Sequence, residues 1–168
     1  MTHFILTLLT SIFLLSNHTV DDDCKCSLKW AWLGIDTEVG LKDAPQGKVI
    51  KTIKNNPKKE YAVMFEILEN KGDWLKVKML APDEPVIGWI LSSYTAAHTT
   101  NYSGALYQVY QQPTVDSKLS GIIREETKVT ILKCCGEWTK IRYTSEGETL
   151  EGYIKTNLLC GNFYSTCG

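Results

Sequence analysis

One pattern occurs twice in this chain, and it constrains the fold more than any other feature. Gly72-Asp73-Trp74-Leu75-Lys76-Val77-Lys78 returns sixty-four positions later as Gly136-Glu137-Trp138-Thr139-Lys140-Ile141-Arg142. Each copy is followed at one fixed distance by Gly-aromatic-Ile, as Gly88-Trp89-Ile90 and Gly152-Tyr153-Ile154. Two motifs repeated with the same separation describe a tandem of one small module. Any function must be one that such a module can carry.

Length and charge narrow the options. A chain of 168 residues, 43% apolar, can form one domain or two small ones. Two modules of roughly 60 residues each lie near the lower size limit for independent folding, so they are expected to lean on each other or on cross-links. With a net charge of -1 and both signs interspersed, the chain has no basic stripe for phosphate contacts, which argues against nucleic acid as a partner.

Between the ends, the pattern is strand after strand. Ala62 to Leu68 and Thr127 to Leu132 are short β-branched or aromatic runs, and the second alternates as a half-buried strand does. Turn formers separate the runs at Asn55-Asn56-Pro57, Asn70-Lys71-Gly72, Ala81-Pro82-Asp83, Gln112-Pro113 and Ser145-Glu146-Gly147. Short strands at this spacing predict an all-β fold, a small barrel or sandwich, and about five per repeat suit a barrel. Cys24 to Leu33 has no counterpart before the second repeat. Its alternation places Leu28, Trp30 and Trp32 on one face, as an extra strand laid across the first barrel or the junction.

Aligning the copies extends the match. Val39 to Pro45 pairs with Tyr107 to Pro113, and Val49 and Ile53 pair with Leu119 and Ile123. This order resembles the bacterial Src homology 3 family of SH3-like barrels, whose pattern runs from an Asn-Val-Arg-x-x-Pro-like segment through Gly-x-Trp-x-x-Val to Gly-Trp-Val. The resemblance covers about 37–97 and 106–160. Lys42 and Tyr110 stand where an arginine is usual, and Glu126 where a glycine often precedes the central strand. The predicted organisation is a signal peptide over 1–20, an N-terminal extension over 21–36, one SH3-like barrel over 37–97, a linker over 98–105, and a second barrel with a cysteine-containing tail over 106–168.

The signal peptide rests on Phe4 to Leu15, an apolar run too short to span a bilayer and placed as a secretory h-region, with cleavage expected between Ser16 and Val20. The mature chain is read as having no membrane span, and Asp21-Asp22-Asp23 ahead of Cys24 argues against a lipid anchor there. The expected location is outside the cytoplasm, periplasmic or extracellular. All six cysteines, Cys24, Cys26, Cys134, Cys135, Cys160 and Cys167, follow the cleavage point, and an even number in an exported chain favours disulfides. Six cysteines allow 15 pairings. One arrangement, a bond from Cys134 or Cys135 to Cys160 or Cys167, would clamp the second repeat's groove. Their spacing fits no Cys-x2-Cys knuckle, so no metal is expected. Asn17-His18-Thr19 and Asn101-Tyr102-Ser103 match glycosylation acceptors, which matters in a eukaryotic host.

Strand parity assigns the tryptophans. Trp74 lies an odd number of residues from Val77 and faces away from the core side, toward a rim or groove. An indole held there either forms a flat apolar face for a peptide or glycan, or covers the edge of its own barrel. The candidate ligand-binding residues are Trp74, Trp89 and Tyr94 in the first repeat and Tyr107, Tyr110 and Trp138 in the second, with the first richer in aromatics. Related modules are often joined to cell-wall cysteine peptidases, which need a Cys-His pair within hydrogen-bonding reach. Beyond the signal segment this chain has only His98, in the expected linker. Asp83-Glu84 and Glu125-Glu126 read as solvated loop charges, and no Gly-rich phosphate loop occurs, so neither catalysis nor a cofactor is expected. The resemblance implies an exported binding module for peptidoglycan peptides or a similar extended ligand. The alternative is a periplasmic protein-protein module, such as an inhibitor, a toxin immunity protein or a scaffold subunit.

Overall fold

The computed structural model describes residues 24–56, 58, 61–81 and 84–167. The expected signal peptide, the Asn17 acceptor, and Pro82 and Asp83 lie outside them. The chain is all-β. In order its strands are β1 Trp30–Leu33, β2 Val39–Lys42, β3 Val49–Ile53, β4 Met64–Lys71, β5 Trp74–Ala81, β6 Ile87–Leu91, β7 Thr95–Thr99, β8 Tyr107–Tyr110, β9 Leu119–Ile123, β10 Lys128–Cys135, β11 Trp138–Ser145, β12 Glu148–Lys155 and β13 Leu159–Cys160. They form one antiparallel sheet in the order β3-β2-β6-β5-β4-β1-β7-β10-β11-β12-β8-β9, with β13 paired to β7. This sheet is not closed on itself, and among the described residues its path runs from β3 at one end to β9 at the other.

The repeat is visible in that order. Reading inward from each edge, β3-β2-β6-β5-β4 in the first half has the same connectivity as β9-β8-β12-β11-β10 in the second. The β4–β5 and β10–β11 hairpins turn through Gly72 and Gly136, whose φ values of 56° and 54° put the first central turn residue where side chains are disfavoured. At Gly152 the strands approach so closely that an added Cβ would lie 2.6 Å from Val109 Cγ1 and 2.7 Å from the Tyr110 carbonyl oxygen.

Each half has its own core, built from matched positions. Leu41, Phe65, Val77 and Ile90 fill the first, and Val109, Val129, Ile141 and Ile154 the second. The extension becomes β1, wedged between β4 and β7. Leu28 and Trp32 are buried in the second core and Trp30 packs against it, so the expected shared face is present and is used for burial. Leu33 enters the first core instead.

Two expectations are corrected. His98 and Thr99, read as the start of a linker, complete β7, which pairs with β1, β10 and β13. The small Ala96 and Ala97 are fully buried there. The disulfides are Cys24–Cys135, Cys26–Cys134 and Cys160–Cys167, with no free cysteine. Cys134 and Cys135 are therefore bonded to the extension and not to the tail. The reason is local: the end of β10 runs beside the extension, where Cys26 bridges Gly136 and the Gly136 N–H donates to the Lys25 carbonyl at 2.8 Å. Three disulfides fit an oxidising, exported setting. No helix among the described residues is long and apolar enough to cross a membrane.

The tail closed by Cys160–Cys167 crosses to the first half. Its Tyr164 hydroxyl accepts from the Ala62 N–H at 2.9 Å and donates to the Ala62 carbonyl at 3.2 Å. Phe163 packs edge-on against Trp32 at 5.5 Å.

Candidate functional site

The matched hairpins hold Trp74 and Trp138 on the outer face. Leu75, Val77 and Met79 are buried in the first core, so Trp74, Lys76 and Lys78 point the other way, as parity requires. Both indoles are half-buried.

In the first repeat, Lys42, Trp89 and Lys76 stand directly opposite one another across β2, β6 and β5. The Lys42 ammonium lies 5.3 Å from the Trp74 ring, and that of Lys76 lies 5.7 Å from Trp89 and 3.2 Å from Glu69. Trp89 itself is 8% exposed, so it supports this face more than it presents one. Tyr94 belongs to a 3-10 turn, Ser92–Tyr94, and packs on the first core. The first repeat thus has fewer available aromatic faces than its composition promised.

The second repeat assembles more. Tyr110, Tyr153 and Lys140 form the equivalent row across β8, β12 and β11. Tyr110 replaces Lys42 and meets Trp138 edge-on at 5.7 Å, so an aromatic contact stands where the first repeat has a cation. The Lys155 ammonium lies 4.5 Å from the Trp138 ring and 3.0 Å from Glu137 Oε2. Beside this row, Glu151 accepts from Arg142 at 2.7 and 2.8 Å and lies 3.5 Å from Lys140; the Arg142 bonds hold its carboxyl below the ordinary range. Tyr107 does not join the row. Its ring packs against the second core and its hydroxyl pairs with Thr100 Oγ1 at 3.0 Å.

Sequence reasoning missed Tyr153, Lys155 and Glu137 as a group. The sixty-four-residue offset could have found them, because it sets Tyr153 against Trp89 and the cation Lys155 against Leu91. His98 packs edge-on against the Trp32 ring at 4.6 Å, and its Nδ1 lies 3.0 Å from Glu126 Oε1. With every cysteine oxidised, no thiol is available to pair with it. Asn101 is 2% exposed and its amide donates to the Ala105 carbonyl at 3.0 Å, so the folded chain withholds this acceptor from glycosylation.

No family model and no curated protein matches this chain. Among solved structures it is similar to NlpC2 from Trichomonas vaginalis, at 15% identity and a TM-score of 0.32, covering 83% of this chain and 50% of that one. It is also similar to NlpC1 from the same organism, at 15% identity and a TM-score of 0.34, covering 95% and 53%. The chain thus spans about half the length of the solved chains it matches. Likeness this distant says nothing about ligand or activity.

Proposed function

We propose that this chain is an exported, non-catalytic binding module of two SH3-like barrels that recognises peptidoglycan peptides or a similar extended ligand through the aromatic surfaces around Trp74 and Trp138. The observation that carries the reading is the duplicated indole on the outer face, each with a lysine ammonium over its ring. Exposed cation–π contacts of this kind are worth about 0.5–1 kcal/mol, so a ligand that stacks on the ring and satisfies the lysine can displace them. Two such sites on one chain gain from effective concentration on a polymeric target. Oxidised cysteines and a histidine occupied by Glu126 support a role in binding over one in acyl transfer.

The test is a pull-down of the oxidised mature protein with purified peptidoglycan, comparing wild type with Trp74→Ala and Trp138→Ala after circular dichroism confirms folding. Loss of affinity by about 30-fold on either substitution, the ratio corresponding to a hot spot near 2 kcal/mol, is expected. Failure of folded wild type to bind would overturn the reading and direct the search to a periplasmic protein partner.

A further inference from the structure

The two repeats differ at the corner where the 3-10 turn follows the last long strand. In the first repeat the Ser92 N–H donates to the Asp73 carbonyl at 2.9 Å, and in the second the Thr156 N–H donates to the Glu137 carbonyl at 2.8 Å, so the backbone is the same. The surroundings are not. The Ser92 hydroxyl donates to the Leu132 carbonyl of β10, which closes the first corner against the other half. At the second corner the space is bounded instead by the N-terminal extension, fixed there by Cys24–Cys135 and Cys26–Cys134. A cavity of about 330 Å³ remains, lined by Ser27, Glu137, Lys155, Thr156 and Asn157. That volume is within the range of small-ligand sites.

The lining chemistry is specific to this corner. Lys155 replaces Leu91 of the first repeat and sets an ammonium beside the Glu137 carboxylate, where the first repeat has the Asp73 carboxylate alone. Thr156 is buried and its hydroxyl is shared with Thr139 at 3.0 Å and the Gly136 carbonyl at 3.3 Å, so it acts as wall. Ser27 and Asn157 add a hydroxyl and a primary amide, and no hydrogen bond among the described residues occupies either side chain. The Glu137 side chain is 81% exposed and that of Lys155 36%. An ion pair this exposed contributes little net stability, so opening it costs little. A ligand with one charge would only exchange one pair for another. A ligand carrying both charges restores two pairs for the one it breaks.

We propose that this pocket takes a zwitterionic peptide unit, with the ligand ammonium on Glu137, its carboxylate on Lys155, and the adjoining chain over Trp138 and Tyr110. This rests on the reading that the aromatic face of the second repeat is a binding surface, and it names the chemistry next to that face. The probe is dialanine, in three forms: with both ends free, N-acetylated, and C-amidated. Each is titrated into the isotope-labelled oxidised protein, following the Trp138 indole and the backbone signals of Glu137, Lys155 and Asn157. Free dialanine is expected to shift these signals, and blocking either end is expected to weaken binding at least tenfold. Glu137→Gln should abolish the discrimination against the acetylated form alone, and Lys155→Gln that against the amidated form alone. Ser27→Trp, an exposed substitution that fills the pocket, should abolish the response while leaving the rest of the spectrum unchanged. Shifts located elsewhere, no shifts, or equal binding of free and blocked forms would overturn the proposal. Wall binding through Trp138 without a dialanine response would sink this inference alone. A dialanine response without wall binding would sink the peptidoglycan reading and leave the pocket standing.

Discussion

The paired bonds between the N-terminal extension and the end of β10 should stabilise the chain as a unit. Cys24–Cys135 closes a loop of 111 residues and Cys26–Cys134 one of 108. In the chain-entropy treatment, the first of these to form contributes about 4.8 kcal/mol at 25 °C. Once it exists, the second closes only a ring through residues 24–26 and 134–135, five residues in all, and contributes about 2 kcal/mol. Removing either bond alone should therefore cost about 2 kcal/mol, and removing both about 7, leaving a coupling of about 3 beyond the sum. Urea unfolding of three variants measures this: Cys24→Ala with Cys135→Ala, Cys26→Ala with Cys134→Ala, and all four together. Alanine is chosen because Cys134 is fully buried. The reasoning is refuted if each pair costs as much as a long loop and the four add. It is also refuted if the quadruple variant costs almost nothing, which would mean Cys24 bonds Cys26 and Cys134 bonds Cys135.

Two further outcomes follow from packing. Gly152→Ala should destabilise by about 2 kcal/mol, since its Cβ would stand 2.6 Å from Val109 and 2.7 Å from a carbonyl oxygen, and a thermal melt measures the loss. Tyr143→Phe should be neutral or stabilising by up to about 1 kcal/mol, because the hydroxyl is buried without a hydrogen-bond partner among the described residues and burial raises its pKa; a clear loss of stability by chemical denaturation would mean that the hydroxyl is bonded after all.

What the sequence disclosed depended on period and repetition. Counting from Val77 places Trp74 on the outer face, and the unmatched alternation of Leu28, Trp30 and Trp32 gives an extra strand across the first barrel or the junction, of which the structure shows the second, with β1 between β4 and β7. The same reasoning failed at β7. Ala96-Ala97-His98-Thr99 has neither alternation nor β-branched bulk at its centre, yet it is a central strand because β1 and β10 supply backbone pairing on both sides. The disulfide pairing was not legible, since it depends on which strand end lies beside the extension in space. The row of Tyr110, Tyr153 and Lys140 likewise depends on register across three strands, two of which are distant in sequence from the third.

The placement of β1 has a consequence for how the molecule is made. The first described strand to leave the ribosome sits in the middle of the finished sheet, and the cysteines just before it find their partners more than a hundred residues later. During export, Cys24 and Cys26 emerge as neighbours well before Cys134 and Cys135. Where a local Cys24–Cys26 bond forms first, reaching the mature pairing requires its exchange for the two long-range bonds. Secretion of this protein should therefore depend on a disulfide isomerase as well as an oxidant, and pulse-labelled chains should pass through a form cross-linked at the N-terminus before the compact one appears.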